Sequence, residues 1–315
     1  MIAAVSGMGT ARVRRRVPEC PVSSTATQLP ATDSTRTPFG SLFVTRDEQE
    51  LFEALLTERP GADPRAERVA VRPLAMLGRS VELRREAGDA RALHAAVVAM
   101  DHVPPARLPE SPVIVVLGAG PGYGAADLSA RFVGARVVAV EMTDDTAALC
   151  AENLRGLGDR GRVITGAAWG GEGIVGWGGE ATDARRVTNL GAFPGFRAPA
   201  VIGQAEALSV PMILARANVD CVDYLHMDVA GSEATIFDGG ARPGEWLTRC
   251  GCVSVIVRAP ATVESVEWRL VEAGMRTWRD PRVSGRVVGM SRACVAAQPR
   301  WPKDAAALDA PPGPW

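Results

Sequence analysis

Gly118-Ala119-Gly120-Pro121-Gly122 and Glu141 are the residues of this chain whose types and spacing best suit chemistry. Glycines let a backbone approach a ligand where a Cβ would collide. A carboxylate roughly twenty residues further on offers two acceptor oxygens to a ribose diol. A nucleoside-bearing cofactor needs this layout, and the glycines by themselves leave open which one. They fit a GxGxG loop, and Gly120-x-Gly122-x-x-Ala125 also fits a dinucleotide pattern. Met142 follows the acid and is placed to line an adenine pocket. Ala168 and Trp169, where a third strand ends, are placed similarly, and all three suit a packed core equally well.

Val222 to Glu233, VDYLHMDVAGSE, is the second informative segment. Side chains alternate along a strand, so Tyr224, His226 and Asp228 share one face and Leu225 and Met227 the other. An imidazole and a carboxylate at a strand's carboxyl end are the groups that general acid–base chemistry uses. Burial as an ordinary core histidine is the competing reading of His226. Glu233 suits the first turn of a short helix, where a carboxylate complements the helix dipole. His94 and His102 lie outside both segments and read as surface or structural residues.

The elements that position these residues alternate strand and helix. Val113–Leu117, Arg136–Glu141, Arg162–Ala168, Val222–Val229 and Val253–Val257 read as strands. Gly122–Phe132, Asp144–Leu157, Ala207–Asn218 and Thr262–Ala273 read as helices, with Thr143 as an N-cap and Pro211 near a helix start. Met275–Arg279 and Arg286–Ala297 read as two last strands joined by a turn at Asp280-Pro281, which must pair antiparallel. The pattern predicts an α/β fold, a doubly wound, mostly parallel sheet of Rossmann-like kind with an antiparallel C-terminal hairpin. Residues 1–38 lack periodicity and read as a disordered tail. Residues 39–110 read as a helical extension or lid, 111–298 as the catalytic domain and 299–315 as a C-terminal tail. The stretch 170–206 reads as an irregular glycine-rich insert whose Trp177, Phe193 and Phe196 suit an apolar wall or ordinary loop packing.

Composition narrows the partners. A net charge of −1 over 315 residues gives no reason to expect nucleic acid. Of the 35 Lys and Arg only Lys303 is Lys, and the Arg form no stripe. Six dispersed Cys, with Cys250-Gly251-Cys252 as the one close pair, argue against a metal site and for free thiols in a reducing cytoplasm. No apolar run approaches membrane-spanning length. Oligomeric state, including a homo-oligomer, is left open.

Around the fourth strand the chain resembles the FkbM-type S-adenosylmethionine-dependent methyltransferases. That family's strand reads D-x-L-K-I-D-[IV]-E-G-x-E, and here it is Asp223-Tyr224-Leu225-His226-Met227-Asp228-Val229-Ala230-Gly231-Ser232-Glu233. Ala167-Ala168-Trp169 before a Gly-Glu-Gly turn, Ile236-Phe237, and Gly244-Glu245-Trp246-Leu247 are similar to further family elements. The chain differs at Val116-Leu117, where the family has an acid, at His226 for Lys, at Ala230 for Glu, and at Val257-Arg258-Ala259-Pro260 for an acid and a His. The resemblance covers roughly residues 110–297. It implies a seven-stranded class I methyltransferase sheet and S-adenosylmethionine held by Gly118, Ala119, Gly120, Gly122, Glu141, Met142, Ala168, Trp169 and Asp228. It also implies O-methyl transfer to a hydroxyl of a small molecule such as a secondary metabolite or sugar. His226 is then the base, with Asp228 orienting it or contacting the cofactor's methionine end. The missing acids point to an alternative, a cofactor-binding homologue that has lost catalysis. A nicotinamide-dependent oxidoreductase ranks last, since Tyr123, Tyr224 and Lys303 are the only Tyr and Lys from which a catalytic pair could come.

Overall fold

The structure is a computed structural model that describes residues 42–58, 67–85, 87–179, 186–187, 200–240 and 243–298. The expected tails at 1–38 and 299–315, with Phe193 and Phe196, lie outside the described residues. The main sheet is built from β3 (Val113–Leu117), β4 (Arg136–Glu141), β5 (Gly161–Thr165), β10 (Val222–Met227), β11 (Cys250–Ile256), β12 (Arg276–Arg279) and β13 (Arg286–Met290). Its order is β5-β4-β3-β10-β11-β13-β12. The pairs β3–β4, β4–β5, β10–β3 and β10–β11 are parallel, and β13 is antiparallel to both β11 and β12. The predicted doubly wound sheet with an antiparallel end is therefore present. β13 inserts between β11 and β12 rather than standing at the edge.

Sheet strands this apolar are buried on both faces, and the two-residue period sorts their side chains. Ile114, Val116, Val137, Ala139, Tyr224 and Cys252 belong to the core on one face. Val115, Leu117, Val138, Val140, Leu225, Met227, Val253 and Val255 belong to the core on the other. The helices covering the faces are α3 (Tyr123–Arg131), α4 (Asp144–Leu154), α5 (Val210–Ala217), α6 (Glu233–Asp238), α7 (Pro243–Leu247), α8 (Val263–Glu272) and α9 (Arg292–Ala297). Thr262 and Ser265 form a reciprocal cap at the start of α8. Pro211 lies in the first turn of α5 behind the Ser209 cap, where its missing N–H costs nothing.

Four readings of the sequence need correction. The 39–110 extension is not all helical: β1 (Arg68–Val71) and β2 (Val81–Arg84) pair as an antiparallel hairpin. Their apolar residues recur at spacings that strand and helix share over so short a window. Ala207–Leu208 belongs to a strand, and α5 begins only after Ser209. The last strand stops at Met290, and Ser291 caps a helix through the Cys294 N–H. The stretch 170–206 is not irregular throughout. β6 (Ala167–Ala168), β7 (Gly173–Gly178), β8 (Arg186–Val187) and β9 (Gly203–Leu208) form a second, four-stranded sheet in the order β6-β9-β7-β8. Trp177 packs there, over Gly203, where a Cβ would come within 2.5 Å of its ring.

The N-terminal segment shares the main core. Phe43, Phe52 of α1 (Arg46–Thr57), Met76, Leu83 and Leu93 of α2 (Asp89–His94) pack in one cluster with Ile114, Tyr123 and Tyr224. Tyr123 donates its hydroxyl to the Glu82 carbonyl at 2.9 Å. Arg84 is buried, meets Asp89 through Nε and Nη2, and reaches Asp145 of α4 at 2.8 Å. That pairing crosses from the segment to the main domain. Removing one partner of a buried pair costs about 3–5 kcal/mol. Asp89→Ala is therefore expected to lower the melting temperature well beyond the effect of Asp47→Ala on exposed α1, as read by circular dichroism melts of both variants.

Candidate active site

The carboxyl ends of β3, β4 and β10 are joined by backbone before any side chain acts. Gly118 and Ala119 donate to the Val140 carbonyl at 3.0 and 2.9 Å, and Asp228 donates to the Leu117 carbonyl at 3.0 Å. Gly118, Gly120 and Gly122 have φ of 77°, 54° and 88°, which non-glycine residues adopt only with strain. Each glycine has its own reason. A Cβ on Gly118 would lie 1.9 Å from the Asp228 carbonyl oxygen, and one on Gly122 2.8 Å from Cys150 Sγ. A Cβ on Gly120 would meet nothing within 4 Å.

Glu141, the last residue of β4, is almost fully buried yet lines the cleft. Its Oε2 accepts from the Gly120 N–H at 3.1 Å, and Oε1 accepts from the Thr143 N–H at 3.2 Å and hydroxyl at 3.4 Å. Thr143 precedes α4 as expected, but its hydroxyl makes no cap to that helix. It braces the acid instead.

The cleft encloses about 450 Å³. Gly118, Ala119, Gly120, Glu141, Met142, Ala168, His226 and Asp228 all line it. Gly122 and Trp169 do not line it and so depart from expectation. Gly122 opens α3 and packs on Cys150, while Trp169 packs against the second sheet with Met142 and Trp177. Since β4 and β5 flank β3 on one side and β10 and β11 on the other, the cleft has two ends. Glu141, Met142 and Ala168 mark one, and His226, Asp228 and Arg258 mark the other.

The second end differs most from expectation. Asp228 does not orient His226. It forms a two-point ion pair with Arg258, Nε–Oδ1 at 2.9 Å and Nη2–Oδ2 at 2.8 Å. Arg258 follows β11, at whose end it reaches back to the end of β10. His226 is buried, and its Nδ1 has no hydrogen-bond partner. Burial, with His102 and Arg286 nearby, holds its pKa well below the ordinary imidazole value. The ring is therefore neutral at pH 7 and able to accept a hydrogen bond.

Sequence reasoning read His102 as surface or structural and gave it no place at the site. It is neither surface nor remote: it is buried, lines the cleft, and sits edge-on to His226 with ring centroids 6.5 Å apart. Arg91, Asp101 and Ala96 line the same wall, next to one turn of π-helix at Ala95–Ala99. The available signal was scarcity alone, since the chain has three His. Among the described residues no group of three His, Cys, Asp or Glu could hold a metal ion, and no helix is long and apolar enough to cross a membrane.

No family model matches the chain, and no curated protein matches it. Solved structures do. The chain is similar to a methyltransferase FkbM from Methylobacillus flagellatus, at 15% identity and a TM-score of 0.41, over 58% of this chain and 44% of that one. It is similar to a precorrin-6y C5,15-methyltransferase from Geobacter metallireducens, at 11% identity and a TM-score of 0.35, over 57% and 80%. A fibrillarin from Aeropyrum pernix with natively bound S-adenosyl-L-methionine matches at 14% identity and a TM-score of 0.32, over 73% and 96%. These are likenesses of fold.

Two predictions follow from the local geometry. Gly118→Ala is expected to destabilise far more than Gly120→Ala in urea unfolding. Both incur about 1–2 kcal/mol of left-handed strain, but only the first drives a methyl group into backbone. Glu233 stands in the first turn of α6 as read from sequence, yet its burial is expected to make it a liability at alkaline pH. It is fully buried, and burial pushes its pKa up to about 8 against the opposing pull of the Gly231 and Glu233 backbone N–H groups. A folded value above the unfolded 4.5 means that folding favours the protonated form, so stability falls as pH rises from 4.5 through 8. Glu233→Gln should therefore melt higher than the parent by a margin that widens between pH 5 and pH 8.5.

Proposed function

We propose that the protein is an S-adenosylmethionine-dependent methyltransferase acting on a hydroxyl of a small molecule, as the FkbM resemblance implies. The observation that carries the reading is Glu141. Its carboxylate is clamped between the glycine loop and Thr143 at the mouth of a cleft large enough for a nucleoside. A negative charge is buried at the carboxyl end of β4, where a ribose diol would supply two donors. Open space beside Gly120 admits a ligand against the loop. Met142 and Ala168 offer apolar cover for an adenine.

When bound, the cofactor supplies a methyl group already activated on a sulfonium. The chain's own residues have to align an acceptor oxygen with that methyl and relieve the oxygen of its proton. Alignment of this kind contributes up to about 7–11 kcal/mol in favourable systems. His226 and Asp228 are the proposed catalytic residues at the acceptor end. The neutral imidazole of His226 lines the acceptor end beside that oxygen and helps to position it. Asp228, fixed by Arg258, holds the opposite edge. Strand–loop scaffolding keeps both at the carboxyl ends of β10 and β11, while the 91–102 wall and the second sheet are placed to choose the acceptor.

The test is titration calorimetry with S-adenosylmethionine, S-adenosylhomocysteine and NAD on the parent and on Glu141→Gln. Binding of the two adenosyl compounds and not NAD is expected. Losing a charge-assisted hydrogen bond of about 1.5–3 kcal/mol should weaken binding roughly ten- to a hundredfold in Glu141→Gln. Preference for NAD, or full affinity in the variant, would overturn the reading.

A further inference from the structure

We infer that His102, held by Asp127, is the base of this site: the group that takes and keeps the proton leaving the acceptor. The inference rests on the methyltransferase reading and adds a residue from the N-terminal segment to its machinery.

His102 Nε2 lies 2.8 Å from Asp127 Oδ2, and the two side chains are 4% and 0% exposed. A carboxylate accepts only, so the proton of a neutral imidazole is on Nε2. Nδ1 is then the nitrogen with the lone pair. That nitrogen stands 4.0 Å from Asp101 Oδ1, beyond hydrogen-bond reach, on a ring that lines the cleft. The tautomer needed for a base is thus fixed by a neighbour, which is the arrangement that makes histidine effective in proton transfer.

His226 lacks all of this. Its Nδ1 has no partner, and Asp228, two residues further along the chain, pairs with Arg258 and makes no bond to the ring. Burial, which keeps it neutral and accepting, also opposes its holding a proton once one arrives. His102 faces that problem with a carboxylate already against it.

The surroundings of His102 fix it in place. Tyr224 donates its hydroxyl to the His102 carbonyl at 2.8 Å, tying the segment to β10. Gly124 leaves room for the ring, since a Cβ there would stand 3.2 Å from His102 Cγ. Arg131 also bonds Asp127 Oδ2, and its Nη2 lies 3.3 Å from Met100 Sδ. Asp127 Oδ1 is buried without a partner. An acid with one oxygen left unpaired inside an apolar helix face costs stability. Asp127 Oδ2 thus serves both the Arg131 guanidinium, one helical turn away, and the His102 ring.

The step moves one proton from the acceptor oxygen to Nδ1 of His102, leaving an imidazolium paired with Asp127. The methyl group that replaces it on oxygen comes from the sulfonium, which is left as a neutral thioether.

The chain's three histidines make a direct test practical. Long-range proton–nitrogen NMR correlations on histidine-labelled full-length protein, assigned with His94→Gln, His102→Gln and His226→Gln, report each ring's tautomer. His102 is expected as the Nε2–H form in the parent and as a tautomer mixture in Asp127→Asn. Sinefungin, which carries an amine where the cofactor carries its methyl sulfonium, should shift the His102 Nδ1 signal more than S-adenosylhomocysteine does. An Nδ1–H tautomer in the parent overturns the inference. So does a His102 signal equally unmoved by both compounds while calorimetry shows them bound. Absence of binding heat for both would instead remove the methyltransferase reading and this inference with it. The parent measurements decide the matter even if Asp127→Asn fails to fold.

Discussion

The site depends on how closely two backbones cross. The glycine loop after β3 runs against the end of β10 with no space for a side chain between Gly118 and the Asp228 carbonyl. The Asp228 N–H closes on the Leu117 carbonyl, and Gly118 and Ala119 close on that of Val140. Three strand ends are thereby held in one plane by main-chain hydrogen bonds. Glu141, His226 and Asp228 inherit their positions from that contact. Any residue that widened the crossing would move the His226–Asp228 end of the cleft away from its Glu141 end. Alignment-dependent chemistry has little tolerance for such a shift.

Much of this was legible from the sequence because it rests on backbone demands that restrict residue type. A buried parallel strand needs an unbroken apolar run, which VIVVL and VVAV supply. A loop with three left-handed positions needs glycine, and Gly118, Gly120 and Gly122 stand there. The acid at the end of β4 and the alternation of Tyr224, His226 and Asp228 followed from strand geometry. What misled was pattern too short to carry a period. β1 and β2 each have four residues, too few to separate strand from helix spacing. The Met290 boundary of β13 and the Leu208 boundary of β9 were missed because both are marked by a single Ser cap inside an otherwise apolar stretch.

Pairings between distant segments were less legible still. Arg258 and Asp228 are thirty residues apart, and His102 and Asp127 twenty-five. Nothing local in either half announces the other. The sequence suggested that His226 and Asp228 act together because they are neighbours on a strand face. The fold separates them by giving Asp228 a guanidinium from the loop after β11. It then sets a second imidazole from the N-terminal segment edge-on to His226. Topology, not spacing, decides which carboxylate serves which histidine.

The N-terminal segment is therefore more than a cover. Its apolar side chains complete the core beneath β3 and β10, and its polar ones close one wall of the cleft through Arg91, Asp101 and His102. The same packing that stabilises the fold fixes the wall, since the Arg84–Asp145 ion pair, the Tyr123 hydroxyl and the Tyr224 hydroxyl all cross the boundary. A wall anchored at three points cannot slide without exposing buried charge, which costs several kcal/mol. The shape of this end of the cleft is thus tied to folding of the segment itself. Changes to that shape are more accessible at half-buried positions on the wall, such as Arg91 and Asp101, than at the residues that anchor it.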